Sequence, residues 1–250
     1  MKIVVFSDPH RGKDISVFKP ERIDIWGNEF SSLFNKILKK EKDFDLLVCL
    51  GDLIADKSSS EDFKSYAEVI SFLKKIKAEC LFVVGNHDCK NLSHSDLSKL
   101  INRKRTYYSA DIMGVKHIVL SANWVDKKGY TLLEDELGWL DEELKNSNVP
   151  CIIYSHYPFD NQNLKKSKYF SKEIDVFLRE RDDVQRLVGK YSTKIKLIVF
   201  GHVHQYNKSK IKGVSTFTVP SMTEDNGGKP SGEYAVIDTG KEFSLNIYRV

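Results

Sequence analysis

Long hydrophobic runs are missing from this 250-residue chain. No apolar stretch approaches the ~20 residues needed to cross a bilayer, so no membrane partner is expected. Cysteine is sparse: Cys49, Cys80, Cys89 and Cys151 show no C-x-x-C spacing, and three of them lie inside apolar runs. That argues for buried, reduced thiols rather than a disulfide framework. Charge of one sign does not dominate either. A formal net charge of +4 suits an enzyme handling phosphorylated substrates but is far from the basic block that marks nucleic-acid binders, so nucleic acid is not expected as a partner. Internal repeats, low-complexity segments and Pro/Gly/Ser-rich linkers are absent as well, which leaves residues 1–250 as a single domain. The first strand-like run begins at Lys2, with no room for the charged and apolar regions of a leader, so a cytoplasmic location is expected.

What is present is a hydrophobic content of 41% beside 30% charged residues, the balance of a soluble globular chain that buries a sizeable core. Continuous apolar runs at residues 2–6, 45–50, 80–84, 151–155 and 197–200 read as strands buried on both faces, and 117–122 as a further strand. Apolar stripes at helical spacing cover residues 29–42, 61–77 and 132–145, with a further helical stretch at 173–191. The order strand, helix, strand, helix, strand up to residue 84 argues right-handed crossovers and a parallel sheet. Residues 214–219, 233–238 and 243–250 alternate like antiparallel strands. Residues 11–28, 88–108, 157–172 and 205–212 read as the loops that decide specificity, with 91–105 partly helical.

The apolar runs end in metal-ligand residue types. Asp8 and His10 follow the first, Gly51-Asp52 the second and Gly85-Asn86-His87-Asp88 the third; His156 follows 151–155, and Gly201-His202-Val203-His204 follows 197–200. Five of the seven histidines therefore stand where open α/β sheets place their ligands. His94 and His117 do not, and read as surface or capping residues. Two carboxylates, an amide oxygen and four imidazoles are more than one tetrahedral ion uses, and two ions sharing a carboxylate fit better. Nitrogen and oxygen ligands without thiolate suit Mn, Fe or Zn. Asp88 reads as a support that orients a neighbouring imidazole, with a plain turn carboxylate as the alternative.

In chain order, Asp8-x-His10, Gly51-Asp52, Gly85-Asn86-His87-Asp88, His156 and Gly201-His202-Val203-His204 resemble the five signatures of the calcineurin-like metallophosphoesterases. The resemblance implies an α/β fold, a four-layer α/β/β/α sandwich of two mixed sheets packed face to face with helices outside. It implies that Asp8, His10, Asp52 and His204 hold one divalent metal ion, and that Asn86, His156, His202 and the bridging Asp52 hold a second. His87 would lie beside the substrate as the catalytic proton donor, an imidazole titrating near pH ~6.5. A hydroxide held between the two cations would attack phosphorus near neutral pH.

The protein Ser/Thr phosphatase branch continues its second signature to Asp-Arg-Gly, whereas Asp52 is followed here by Leu53-Ile54-Ala55-Asp56-Lys57, without the arginine. Residues 133–140, then Pro150 and the strand to His156-Tyr157-Pro158, are similar to the cyclic-nucleotide phosphodiesterase and ADP-ribose pyrophosphatase branch. A phosphodiesterase acting on a small phosphorylated substrate, such as a cyclic nucleotide or a nucleotide pyrophosphate, is implied ahead of a protein phosphatase. A nuclease of the same superfamily is the second reading, and a metal-free binding scaffold on this fold the third.

Overall fold

A computed structural model of the chain describes residues 1–12, 14–19, 21–125, 129–165, 167, 170 and 176–250, with the backbone alone at 17–19 and 21–23. The first sheet is built from β1 (Lys2–Phe6), β4 (Leu46–Cys49), β5 (Glu79–Phe82), β14 (Glu233–Asp238) and β15 (Ser244–Arg249), in the order β15-β14-β1-β4-β5. Its β1, β4 and β5 are parallel, and β14 and β15 add antiparallel edges. The second sheet runs β12-β13-β11-β10-β7-β6, from β6 (Tyr108–Ile112), β7 (Val115–Val119), β10 (Cys151–Ser155), β11 (Ile195–Phe200), β12 (Asn207–Ile211) and β13 (Val214–Thr218). Two hairpins stand apart from the sheets, β2 (Asp14–Lys19) with β3 (Glu21–Trp26), and β8 (Ala122–Val125) with β9 (Gly129–Leu132).

Strand period 2 divides each run between two cores. Ile3, Val5, Leu46 and Val48 turn inward to meet Ile152, Tyr154, Leu197 and Val199 of the other sheet. Their neighbours Val4, Phe6, Leu47 and Cys49 turn outward, onto α1 (Phe30–Lys40) and α2 (Ser59–Leu73). On α1, Phe30, Leu33, Phe34 and Ile37 form the buried stripe, and Lys39 and Lys40 close the last turn where cations suit the helix dipole. The far face of the second sheet, with Ile118, Ile153 and Ile198, is covered by α5 (Glu136–Asn146) and α6 (Arg181–Lys190) through Leu140, Leu144, Val184 and Val188. Helix, sheet, sheet, helix is the four-layer sandwich that the sequence implied.

Several local expectations need correction. Residues 11–28 are not a plain loop: Ile15, Val17, Ile23 and Ile25 alternate with polar residues, and the segment forms the β2–β3 hairpin. Residues 205–212 contain β12, an edge strand whose Lys208 and Lys210 keep that edge charged. β13 pairs antiparallel with β12 but parallel with β11, because it continues the β7-β10-β11 series. The helix expected to begin at 173 begins at Arg181; residues 173–175 lie outside the described residues.

Candidate metal centre

The carboxyl ends of β1, β4 and β5 are neighbours in one sheet and those of β10 and β11 in the other, so five chain segments deliver their polar residues to one place. Asp8 and His10 follow β1, Asp52 follows β4, Asn86 and His87 open the short helix α3 (Asn86–Cys89) after β5, His156 follows β10, and His202 and His204 follow β11. Backbone bonds lock the segments together: Asp8 N–H donates to the Gly51 carbonyl at 3.2 Å, His10 N–H to that of Asp52 at 3.0 Å and Gly201 N–H to that of His156 at 3.1 Å. Asp8, His10, Asp52, His202 and His204 all adopt positive φ, between 42° and 66°. That region costs non-glycine residues roughly 1–3 kcal/mol each and is tolerated where surrounding contacts enforce it. Gly85 is required for space rather than for φ, since a Cβ there would lie 2.2 Å from Asp52 Oδ1.

Hydrogen bonds behind the imidazoles set their tautomers. His204 Nδ1 lies 2.8 Å from Glu224 Oε2, and His156 Nδ1 lies 2.6 Å from the Leu50 carbonyl. Each of those oxygens accepts a hydrogen bond from Nδ1–H, which turns Nε2 toward the centre. There His204 Nε2 lies 3.2 Å from Asp8 Oδ1 and 3.3 Å from His10 Nε2. His156 Nε2 lies 3.3 Å from both Asp52 Oδ2 and Asn86 Oδ1. Acceptors this close need positive charge between them, either protons or cations. Three groups have ligand atoms close enough to share one ion: Asp8, His10 and His204; His10, Asp52 and His87; and Asp52, His156 and His202. Asp52 belongs to two of these groups, and the mix of carboxylate and imidazole donors suits divalent cations.

Titration behaviour follows the same field. Burial works against charge on His156 and His204, but Asp52 with Asp8 and the Leu50 carbonyl at the first, and Asp8 with Glu224 at the second, together raise them to about 9 and about 10. His10 and His202 go the other way, to about 3 each, by burial reinforced by the charge on His87 and His156 respectively. Burial also opposes ionisation of Asp8, yet His204 and His156 bring its carboxyl down to about 2.

His87 lies beside this centre with its ring edge-on to His10, centroids 4.6 Å apart. Its Nδ1 engages Asp56, whose other oxygen engages Lys90, and this leaves Nε2 for the cavity. Asp88 does not orient an imidazole as the sequence suggested. Its Oδ1 accepts from Leu53 N–H at 2.8 Å and Ile54 N–H at 3.3 Å, and its Oδ2 from Gly85 N–H at 3.0 Å, so it holds the two turns that carry Asp52 and Asn86. Burial, reinforced by Asp52, pushes its carboxyl up to about 7. His94 is outside the cluster, its Nδ1 2.8 Å from Thr106 Oγ1 at the start of α4 (His94–Leu100). His117 is also outside but is not at the surface: it is fully buried against the Tyr154 hydroxyl at 3.1 Å.

Residues 1–206 match the family model described as calcineurin-like phosphoesterase. The chain belongs to that family. Among curated relatives, the 3',5'-cyclic adenosine monophosphate phosphodiesterase CpdA of Haemophilus influenzae is 23% identical, over 96% of this chain and 82% of its own length. A 3',5'-cyclic-nucleotide phosphodiesterase of Nostoc sp. is 25% identical, over 83% of this chain and 75% of its own. A dimetal phosphatase from Danio rerio shares the fold, with a TM-score of 0.78 at 14% identity over 98% of this chain and 95% of that one. The protein is thus a metal-dependent phosphoesterase.

Sequence reasoning missed several residues around the centre of this phosphoesterase. Asp56 and Glu224 hold His87 and His204, yet lie 31 and 20 positions from them, and neither belongs to a recurring strand end. The roof comes from 11–28 and 157–172, two of the segments read as specificity loops, but its apolar hairpin face was not foreseen. Ile15 and Ile25 of the β2–β3 hairpin, with Phe170, close a cavity of about 100 Å³ over His10, Asp52, His87, His202 and His204. The hairpin is clamped from residues 221–225: Trp26 N–H donates to the Thr223 carbonyl at 2.9 Å, and Asp225 N–H to that of Asp24 at 2.7 Å. Ser221 and Thr223 hydroxyls in turn donate to the Asp8 carbonyl at 2.8 and 3.2 Å.

Proposed function

We propose that this phosphoesterase is a phosphodiesterase for 3',5'-cyclic nucleotides, using two divalent ions drawn from Mn, Fe and Zn. The observation that carries the reading is the convergence of His204 and Asp8 on one side, and His156, Asn86 and Asp52 on the other, with imidazole tautomers fixed from behind. The printed names of the Haemophilus and Nostoc relatives support the cyclic-nucleotide substrate. In this reading Asp8, His10, Asp52 and His204 hold one ion, and Asp52, Asn86, His156 and His202 the other. Bound there, the ions would supply a nucleophile at neutral pH and neutralise the phosphate oxygens.

The chain's own groups do the rest. His87, gripped by Asp56, holds a proton at Nε2 for the leaving alkoxide. Burial works against charge on His87, but Asp52 and then Asp56 raise its pKa, which favours the cation that carries this proton. The Ile15, Ile25 and Phe170 roof excludes water from all but a phosphate-sized space. All 250 residues act as one catalytic domain in this reading: β14 and β15, beyond the family match, complete the sheet that positions Asp8 through the β1–β14 pairing. Among the described residues no helix is long and apolar enough to cross a membrane. Four unpaired cysteines suit the reducing cytoplasm, where we place the enzyme.

With Mn²⁺ added, the purified protein should hydrolyse 3',5'-cyclic AMP and the general phosphodiester bis-p-nitrophenyl phosphate. Asp52→Asn, which weakens the shared ligand, should lower both rates at least about 100-fold. The reading fails if Mn²⁺, Fe²⁺ and Zn²⁺ all leave both substrates intact, or if Asp52→Asn matches the wild type.

A further inference from the structure

The cavity over the metal centre holds about 100 Å³, whereas pockets that enclose a drug-sized ligand run to roughly 300–1,000 Å³. It has room for a phosphate but not for a nucleoside, so the base of a nucleotide must rest on the surface around the mouth. Large side chains exposed among the described residues are Phe63, Met113, Trp124, Tyr206 and Tyr248. Met113, in the β6–β7 turn, stands at the opposite end of its sheet from the centre; Phe63 lies on the outer side of α2, and Tyr248, level with Phe6 but on edge strand β15, is two strands to the side of β1.

Trp124 is different. It is 49% exposed on β8, and its ring stands edge-on to Tyr130 across the hairpin, centroids 5.1 Å apart. Tyr130 stacks on Tyr157 at 4.0 Å and meets the His202 ring at 5.2 Å, while Tyr157 lies 5.1 Å from His202. A series of aromatic rings thus runs from the exposed indole to a residue of the metal centre. On its other flank β8 packs beside α3, the turn that presents Asn86 and His87. β8 therefore stands beside the turn that carries His87, on the flank of the cavity where the sugar and base of a nucleotide would extend.

Tyr206 is the competing ring. It lines a separate cleft of about 310 Å³ with Asn226 and Arg249. That cleft shares His204 with the cavity but meets the other side of its ring, because its wall includes Glu224, which accepts from Nδ1, while Nε2 faces Asp8. A base lodged there would have the His204 ring between it and a phosphate on the Nε2 side.

We infer that Trp124, on β8, forms the base-binding shelf of this enzyme by stacking on the nucleobase of the substrate. The inference rests on the cyclic-nucleotide reading and deepens it. Stacking on a π-face reads little of a base's edge, so purine nucleotides should be preferred over pyrimidine ones, with weak choice between adenine and guanine.

AMP and ribose 5-phosphate carry the same sugar and phosphate and differ by the base alone, which makes them the probes. Their dissociation constants should be measured calorimetrically on the Mn²⁺-loaded full chain as wild type, Trp124→Ala, Trp124→Phe and Tyr206→Ala. In wild type AMP should bind about tenfold or more tightly than ribose 5-phosphate. Trp124→Ala should erase most of that ratio, Trp124→Phe should restore much of it and Tyr206→Ala should leave it intact. For cyclic AMP turnover, Trp124→Ala should raise KM by a similar factor and change kcat less than about twofold. An unchanged AMP preference in Trp124→Ala, or its loss in Tyr206→Ala, overturns the shelf while cyclic AMP hydrolysis keeps the substrate reading standing. Equal binding of both probes to the wild type, with bis-p-nitrophenyl phosphate still hydrolysed but cyclic AMP untouched, overturns the nucleotide reading and the shelf with it.

Discussion

Asp56 decides what His87 can do. An imidazole whose Nδ1–H donates to a carboxylate is stabilised in its cationic form, which carries a second proton on Nε2, and the Lys90 ammonium on the other oxygen holds Asp56 in place. The value of that proton depends on the leaving group. A ribose alkoxide needs it, whereas p-nitrophenolate departs without much help. Asp56→Asn should therefore lower kcat for cyclic AMP by about 100-fold and that for bis-p-nitrophenyl phosphate much less, and parallel steady-state assays of the two substrates check this. An equal loss on both would show that Asp56 serves the fold instead. At this scale the sequence was uneven. The candidate ligands announced themselves because Asp, Asn and His recur after apolar runs, but Asp56 and Glu224 are ordinary acids in irregular segments, and their partners become visible only once the chain closes.

At the scale of elements, the approach of β4 to β5 sets the limit on change. Gly85 has extended backbone, which any residue could adopt, yet its Cα faces the Asp52 carboxylate so closely that a methyl group has no place. Gly85→Ala should push Asp52 off its position, weaken Mn²⁺ binding at least tenfold and lower the melting temperature; titration of the metal-free protein with Mn²⁺ and thermal unfolding measure the two effects. Retained affinity would mean that the β5–α3 turn yields more than its packing suggests. Strands buried on both faces were legible as unbroken apolar runs, Cys151–Ser155 to the residue, and the alternation over Glu233–Asp238 also gave that strand its bounds. The hairpins and the edge strand β12 were less so, because half their residues are polar and their signal is alternation over a few positions, which charged loops imitate.

Across the whole molecule, one sheet contributes Asp8, Asp52 and Asn86 to the centre and the other contributes His156, His202 and His204. Ions bound there would join the two sheets at one end of their shared core. Mn²⁺ at 100 times its dissociation constant should stabilise the fold by about 2.7 kcal/mol per site, or roughly 5–10 °C in Tm for a chain of this size. Thermal scans with EDTA and with excess Mn²⁺ test this, and coincident Tm values would count against metal binding at the sheet junction. The positive φ angles of Asp8, His10, Asp52, His202 and His204 carry one more consequence. Left-handed turns admit Gly, Asn, Asp and His far more readily than branched or bulky residues. The backbone therefore filters its own replacements: a mutation that keeps the turn tends to install another small polar group, and one that removes all metal-binding chemistry tends to damage the turn as well. Loss of activity by drift at these positions would most often pass through a weaker ligand before it reached none.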